Sequence, residues 1–181
     1  ALMNLRQHLL LAMPHQEGFF ENAVVVLCEH DEAGALGFVV NKPIKTDLAH
    51  ILKEVQQGFD EDDEQTSIYA GSPVETERGF VLSPTPIGQS TSPFEHLHIT
   101  GHASDLSQAR DALHRGRALF VLGYAGWSAG QLDQEMADNA WLSLPYDQSL
   151  LFDTPSHQRF DKALAPMGIS RHQLSQFSGQ A

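Results

Sequence analysis

The sequence predicts a single mixed domain of helices and strands whose sheet is antiparallel in at least one part. Size and composition point the same way: 181 residues, 41% hydrophobic and 19% charged, are the proportions of a globular chain. A domain of this length buries roughly 70% of its unfolded surface and needs no disulfide or metal staple. A hairpin is also legible. The β-branched run Ala23-Val-Val-Val-Leu-Cys-Glu-His30 meets turn chemistry at Asp31-Glu-Ala-Gly34 and returns through Ala35-Leu-Gly-Phe-Val-Val-Asn41. Finally, short apolar runs alternate with segments of helical spacing and show no internal repeat or linker, so residues 3–181 read as one domain. Ala1 and Leu2, ahead of Met3, read as a remnant of expression.

The elements follow in order. Residues 8–13 read as a buried strand before the hairpin. Asp47 to Gln57 places Leu48, Ile51, Leu52 and Val55 at helical spacing, capped by Thr46 or Asp47 and stopped by Gly58. The acidic run Asp60-Glu-Asp-Asp-Glu64 reads as a solvated loop. Residues 67–73 and 79–83 read as strands joined by a turn through Glu75-Thr-Glu-Arg78, and 84–93 as a loop. His96 to Thr100 alternates as a half-buried strand does, and Asp105 to Arg115 reads as a helix. Ala118-Leu-Phe-Val-Leu-Gly123 is the most apolar run and predicts a central strand. Its glycine-rich continuation, Gly123 to Leu132, reads as a direct junction into a helix spanning Gln131 to Trp141. Leu150-Leu-Phe152 reads as a short strand, Thr154-Pro155 opens a helix to Met167 that Gly168 ends, and Ser170 opens a last one.

Charge restricts function. The net charge is -12 with only 11 Lys and Arg, which disfavours direct binding to a phosphate backbone. One cysteine cannot form an internal disulfide, and no run of 18 apolar residues exists, so a reducing, cytoplasmic setting without a membrane span is expected. The N-terminal apolar stretch ends at Pro14 without an Ala-x-Ala site and does not read as a secretion signal. No nucleotide-binding glycine loop occurs, and no cofactor is expected.

Gly126-Trp-Ser128-Ala-Gly130 matches the G-x-S-x-G turn that presents a nucleophilic serine. Asp133, Asp138, Asp147, Asp153, His157 and His172 follow it, so a Ser…Asp…His order can be composed. The competing reading is a capping box, Ser128 with Gln131, at the start of a helix whose Asp133 and Glu135 suit the dipole. No oxyanion loop of the His-Gly-Gly type lies upstream, so the capping reading is preferred and Ser128 is kept as the alternative. Strand alternation places Cys28 and His30 on one face, where a lone Cys among valines reads as a small core residue. His96, His98 and His102 lack a companion carboxylate at defined spacing and read as surface histidines; no metal site is expected. Arg78 stands at a strand mouth, fit either to receive an anion or to pair with Glu75 or Glu77.

Taken together, Leu10-Leu-Ala-Met-Pro14, Cys28-Glu-His30, Gly37, Asn41-Lys-Pro43, Gly71-Ser-Pro-Val74, Arg78-Gly-Phe80, Gly123-Tyr-Ala-Gly-Trp127, Gly130-Gln-Leu132 and Asp138-Asn-Ala-Trp-Leu142 resemble the AlgH/YqgE family of bacterial proteins. The resemblance runs in order from Met3 to about Gly168. It implies an α+β fold with a bifurcated sheet curled into a pseudo-barrel and flanking helices. The family is largely uncharacterised, with one branch named as a transcriptional regulator of alginate synthesis, and it supplies no catalytic residues. Its position matching Ser128 is often glutamate, which cannot act as the serine would. Ser72 stands where glycine is usual, Ile99 to Asp105 replaces a Thr-Thr-Ser-Lys/Arg-Asp segment, and Gly179-Gln-Ala181 replaces a Gly-His-Ala tail. The expected function is therefore a non-enzymatic regulatory or interaction protein. It binds a small ligand or a protein partner through Asn41, Arg78 and Trp127 lining one pocket, and any transcriptional action is indirect.

Overall fold

The computed structural model describes residues 4–44, 68–73 and 78–178. The expected helix from Asp47, the acidic loop from Asp60, Glu75, Glu77 and both chain ends lie outside the described residues. The fold is α+β, with two sheets. The first has five strands: β1 (His8–Ala12), β2 (Val24–Asp31), β3 (Gly34–Val39), β10 (Ala125–Ser128) and β11 (Trp141–Pro145). Its order is β10-β3-β2-β1-β11, all antiparallel. The second has six: β4 (Pro43–Ile44), β5 (Ile68–Ala70), β6 (Gly79–Ser83), β7 (Thr91–Phe94), β8 (Leu97–Thr100) and β9 (Leu119–Leu122). Its order is β4-β5-β9-β6-β8-β7, with β5 and β9 parallel. The described helices are α1 (Leu106–His114), α2 (Gln131–Ala137), α3 (Gln148–Phe152), α4 (Arg159–Leu164) and α5 (Arg171–Ser178).

The sheets fork from a common seam. The Val39 N–H donates to the Gly71 carbonyl (3.3 Å), and Gly71 and Gly123 donate to Leu122 and Arg78 (both 2.7 Å). Gly123, at φ 77°, takes the chain out of central β9 and into β10 of the other sheet. Gly71 fits only as glycine, because a Cβ there would lie 2.2 Å from the Gly123 carbonyl oxygen. The core lies in three layers. Both sheets and helices α3 to α5 enclose the largest, around Phe38, Leu82, Leu97, Leu151 and Phe160. The other face of the first sheet packs Val25, Leu27, Trp127 and Trp141 against Leu132 of α2. Leu106, Ala109 and Leu113 of α1 cover the outer face of the second sheet.

Trp127 and Trp141 stand on the two outermost strands of the first sheet, yet their ring centroids are 6.1 Å apart. In a flat sheet, four strand spacings would separate those edges by roughly 19 Å. The sheet is therefore strongly curled, although neither sheet closes into a barrel among the described residues.

Several elements differ from the sequence expectation. The helix from Gln131 ends at Ala137, where Asp138 N–H bonds Gln134 and Asn139 (φ 59°) reverses the chain; Trp141 then begins a strand. Leu150 to Phe152 is helical, since Asp147 caps α3 by accepting from the Ser149 N–H at 3.0 Å. The loop expected at 84–93 gives way to β7 at Thr91, an edge strand that tolerates Pro93. The strands containing Ile68 and Phe80 are separated by β9. Between Gly123 and α2 lies β10, so the strand does not pass directly into the helix.

Candidate functional site

The seam opens into a cleft of about 390 Å³. The carboxyl ends of the parallel pair β5 and β9 feed it: Ser72 and Pro73 follow β5, and Tyr124 follows β9. Crevices at the carboxyl ends of parallel strands are recurrent ligand sites, because the chain there departs in diverging directions. Trp127, Trp141 and Glu135 form the inner wall. Tyr124 is 40% exposed and packs edge-on against Phe80, centroid to centroid 6.0 Å.

Glu135 organises the wall. Its Oε1 accepts from the Trp141 indole N–H at 2.8 Å and from that of Trp127 at 3.1 Å. Its Oε2 accepts from the Gln131 amide at 2.9 Å. One carboxylate thus ties α2 to both edges of the curled sheet. Among the described residues no lysine or arginine lines the cleft, His15 being its one imidazole, and the carboxylate meets two indoles and an amide. The arrangement offers aromatic surface and a remaining lone pair on Oε2, suited to a hydrogen-bond donor or a positive group.

The expected site residues separate. Trp127 lines this cleft and is 7% exposed. Arg78 lines a neighbouring cavity of about 180 Å³ with Gly101 and His102, its guanidinium 5.1 Å from the Phe80 ring centroid. Phe80 touches both Tyr124 of the cleft and the Arg78 guanidinium. Asn41 lines neither; its side chain accepts from the Val24 N–H and donates to the Asn22 carbonyl (both 2.8 Å), bracing the turn before β2. The structure does not gather the three into one pocket. Glu135, Trp141 and Tyr124 join Trp127 in the cleft; in the sequence they stand out only as a helix-dipole acid and as members of the family motifs.

Ser128 is the last residue of a strand, not the apex of a strand-to-helix turn. Gln131 Oε1 accepts both its main-chain N–H (3.0 Å) and its hydroxyl (3.3 Å). Half of the expected capping box therefore forms; Gly130, at φ 76°, is the N-cap and leaves the hydroxyl no helix N–H to accept. The full box appears instead at Ser170 and Gln173 (2.7 and 3.3 Å). The hydroxyl thus donates to an amide oxygen, and it is not part of the cleft wall.

Cys28 and His30 lie on opposite faces. A bulge between Leu27 and Glu29 makes Cys28 the extra residue and inverts the alternation after it. Cys28 points into the large core, where burial raises its thiol pKa far above the ordinary value and leaves it inert. His30 is buried on the other face, its Nδ1 accepting from the Leu5 N–H (2.9 Å) and its Nε2 meeting Asp133 at 3.1 Å. This imidazole pins the N-terminal segment to α2. His96 sits at φ 68° beside Glu95, and no group of three metal-ligating side chains gathers among the described residues.

The AlgH-like family matches residues 9–172. A UPF0301 protein of Pseudoalteromonas translucida is 39% identical, the match covering 99% of this chain and 100% of that protein. A UPF0301 protein of Dechloromonas aromatica is 41% identical, covering 99% and 98%. The solution structure of the AlgH protein from Pseudomonas aeruginosa, 38% identical, superposes with a TM-score of 0.75 over 100% of this chain and 96% of that one. A crystal structure of a Corynebacterium diphtheriae protein, 18% identical, shares the fold at a TM-score of 0.74, covering 96% and 93%. The chain belongs to the AlgH-like family.

Proposed function

We propose that this AlgH-like chain is a non-enzymatic binding protein whose recognition element is the cleft bounded by Tyr124, Trp127, Trp141 and Glu135. It takes a small ligand, or a side chain of a protein partner, that presents a cationic or hydrogen-bond-donating group. The observation that carries this reading is the Glu135 carboxylate, set in an aromatic wall at the mouth of two parallel strands, with no lysine or arginine among the described residues of the lining. The volume of about 390 Å³ is within the usual range for small-molecule sites. The engagement of Ser128 with Gln131 supports binding over hydrolysis.

The role is regulatory and cytoplasmic. Among the described residues no helix is long and apolar enough to cross a membrane. With a net charge of -12, any effect on transcription passes through the bound partner and not through DNA. Capture of interacting proteins and metabolites from a bacterial extract, with wild type and Tyr124→Ala compared, tests the reading. Tyr124 is exposed, so its removal leaves the core intact while opening the cleft. Partners held by wild type and Ser128→Ala but lost by Tyr124→Ala support it. Covalent labelling of Ser128 by a fluorophosphonate would defeat it.

A further inference from the structure

The geometry points to a second binding site, for a small phosphorylated or otherwise polyanionic molecule, in a cavity of about 590 Å³ between the α1–β9 turn and the start of α4. It shares no residue with the tryptophan cleft and does not depend on the reading given there. Arg159 lines this cavity. This side chain is only 3% exposed, and its guanidinium lies 5.1 Å from the Tyr69 ring centroid. Three main-chain carbonyls hold it: Thr154 at Nε (3.1 Å), Leu151 at Nη2 (2.9 Å) and Val40 at Nη1. Carbonyls satisfy three of the five N–H groups but do not cancel the charge. Among the described residues no carboxylate pairs with Arg159. A buried cation is costly without a counter-charge, and an anionic ligand supplies one.

The mouth of the cavity is also basic. Gly116, at φ 71°, turns the chain so that Arg115 and Arg117 both reach the wall. Arg115 is partly neutralised by Asp111 at 3.2 Å, whereas Arg117 has no carboxylate partner among the described residues. Among the described residues Asp153 is the single acidic residue of the lining. Three arginines therefore converge on one cavity in a chain with 11 Lys and Arg and a charge of -12. Guanidinium groups match the planar, bidentate demand of phosphate and carboxylate oxygens better than ammonium groups do.

The test is a titration of the full chain with pyrophosphate at constant ionic strength, followed by amide NMR shifts, with citrate as a parallel arm. Saturable shifts at Gly116, Arg117, Asp153 and Thr154 are expected. The Arg115→Ala/Arg117→Ala double variant, altered only at exposed positions, should keep its Tm and bind about tenfold more weakly or worse. Arg159→Lys keeps the charge but not the fork and should also weaken binding. Response to pyrophosphate alone assigns phosphate, and response to citrate alone assigns carboxylates. The proposal is overturned if neither ligand saturates by about 10 mM, if the shifts fall elsewhere, or if the double variant binds as wild type does.

Discussion

Glu135 shows how one side chain serves the fold and the site together. Its Oε1 satisfies two indole N–H groups from strands that the ladder places at opposite edges. Glu135→Ala leaves both donors unmet inside the wall, and chemical denaturation should show a loss of about 2–4 kcal/mol. Glu135→Gln keeps an oxygen for the indoles and should cost less than half as much. By contrast, Ser128→Ala removes one exposed contact to Gln131 and should alter stability by no more than about 0.5 kcal/mol. Asp105 gives the molecule a pH dependence. Hydrogen bonds from the Thr100 hydroxyl (2.6 Å) and the Gln89 N–H (2.9 Å) hold its pKa below the ordinary carboxylate value. A depressed folded pKa contributes stability above the unfolded pKa. That contribution is lost as pH falls through the folded value, so wild-type Tm should drop more steeply on acidification than that of Asp105→Asn. Trp127 stands out in the sequence as a large aromatic among glycines, and the structure buries it in the cleft wall at 7% exposure. Its partner Glu135 does not stand out in the sequence, since an acid early in a helix is sufficiently explained by the dipole.

At the scale of elements, strands with long apolar runs were the legible ones. β2, β3 and β9 match their expected positions because β-branched runs with turn residues at their ends have few other uses. Short runs were not decidable by pattern alone. Leu150 to Phe152 became helical through the Asp147 cap, and Trp141 to Pro145 became a strand because Asn139 stopped α2 early. The bulge at Cys28 left no trace in the alternation, since it only emerges from pairing with Gly37 and Leu36. Close approach sets a sharper test. Gly34 closes the hairpin at φ 139°, and a Cβ there would lie 2.2 Å from the Trp127 carbonyl oxygen of the neighbouring strand. Gly34→Ala should therefore destabilise by more than about 2 kcal/mol and loosen β10 from β3, seen as faster amide exchange at Trp127 and Ser128.

On the scale of the whole molecule, the curl of the first sheet and its fork from the second create the cleft. Neither feature can be read from local periodicity, because both depend on which distant strands pair; the α+β class and bifurcation came instead from the resemblance to a family. The negative charge of the chain and the carboxylate in the cleft favour the same kind of ligand there, one that carries positive charge or donates hydrogen bonds. The chain has two tryptophans, and both line this cleft, so its indole emission reports on that one place. The most direct measurement is a fluorescence titration with matched amine, guanidinium and carboxylate probes on wild type and Glu135→Gln. A saturable change with the cationic probes, weakened about tenfold or more by Glu135→Gln, is the predicted result. Emission that responds to none of the probes, only to the carboxylates, or equally in both proteins would contradict it.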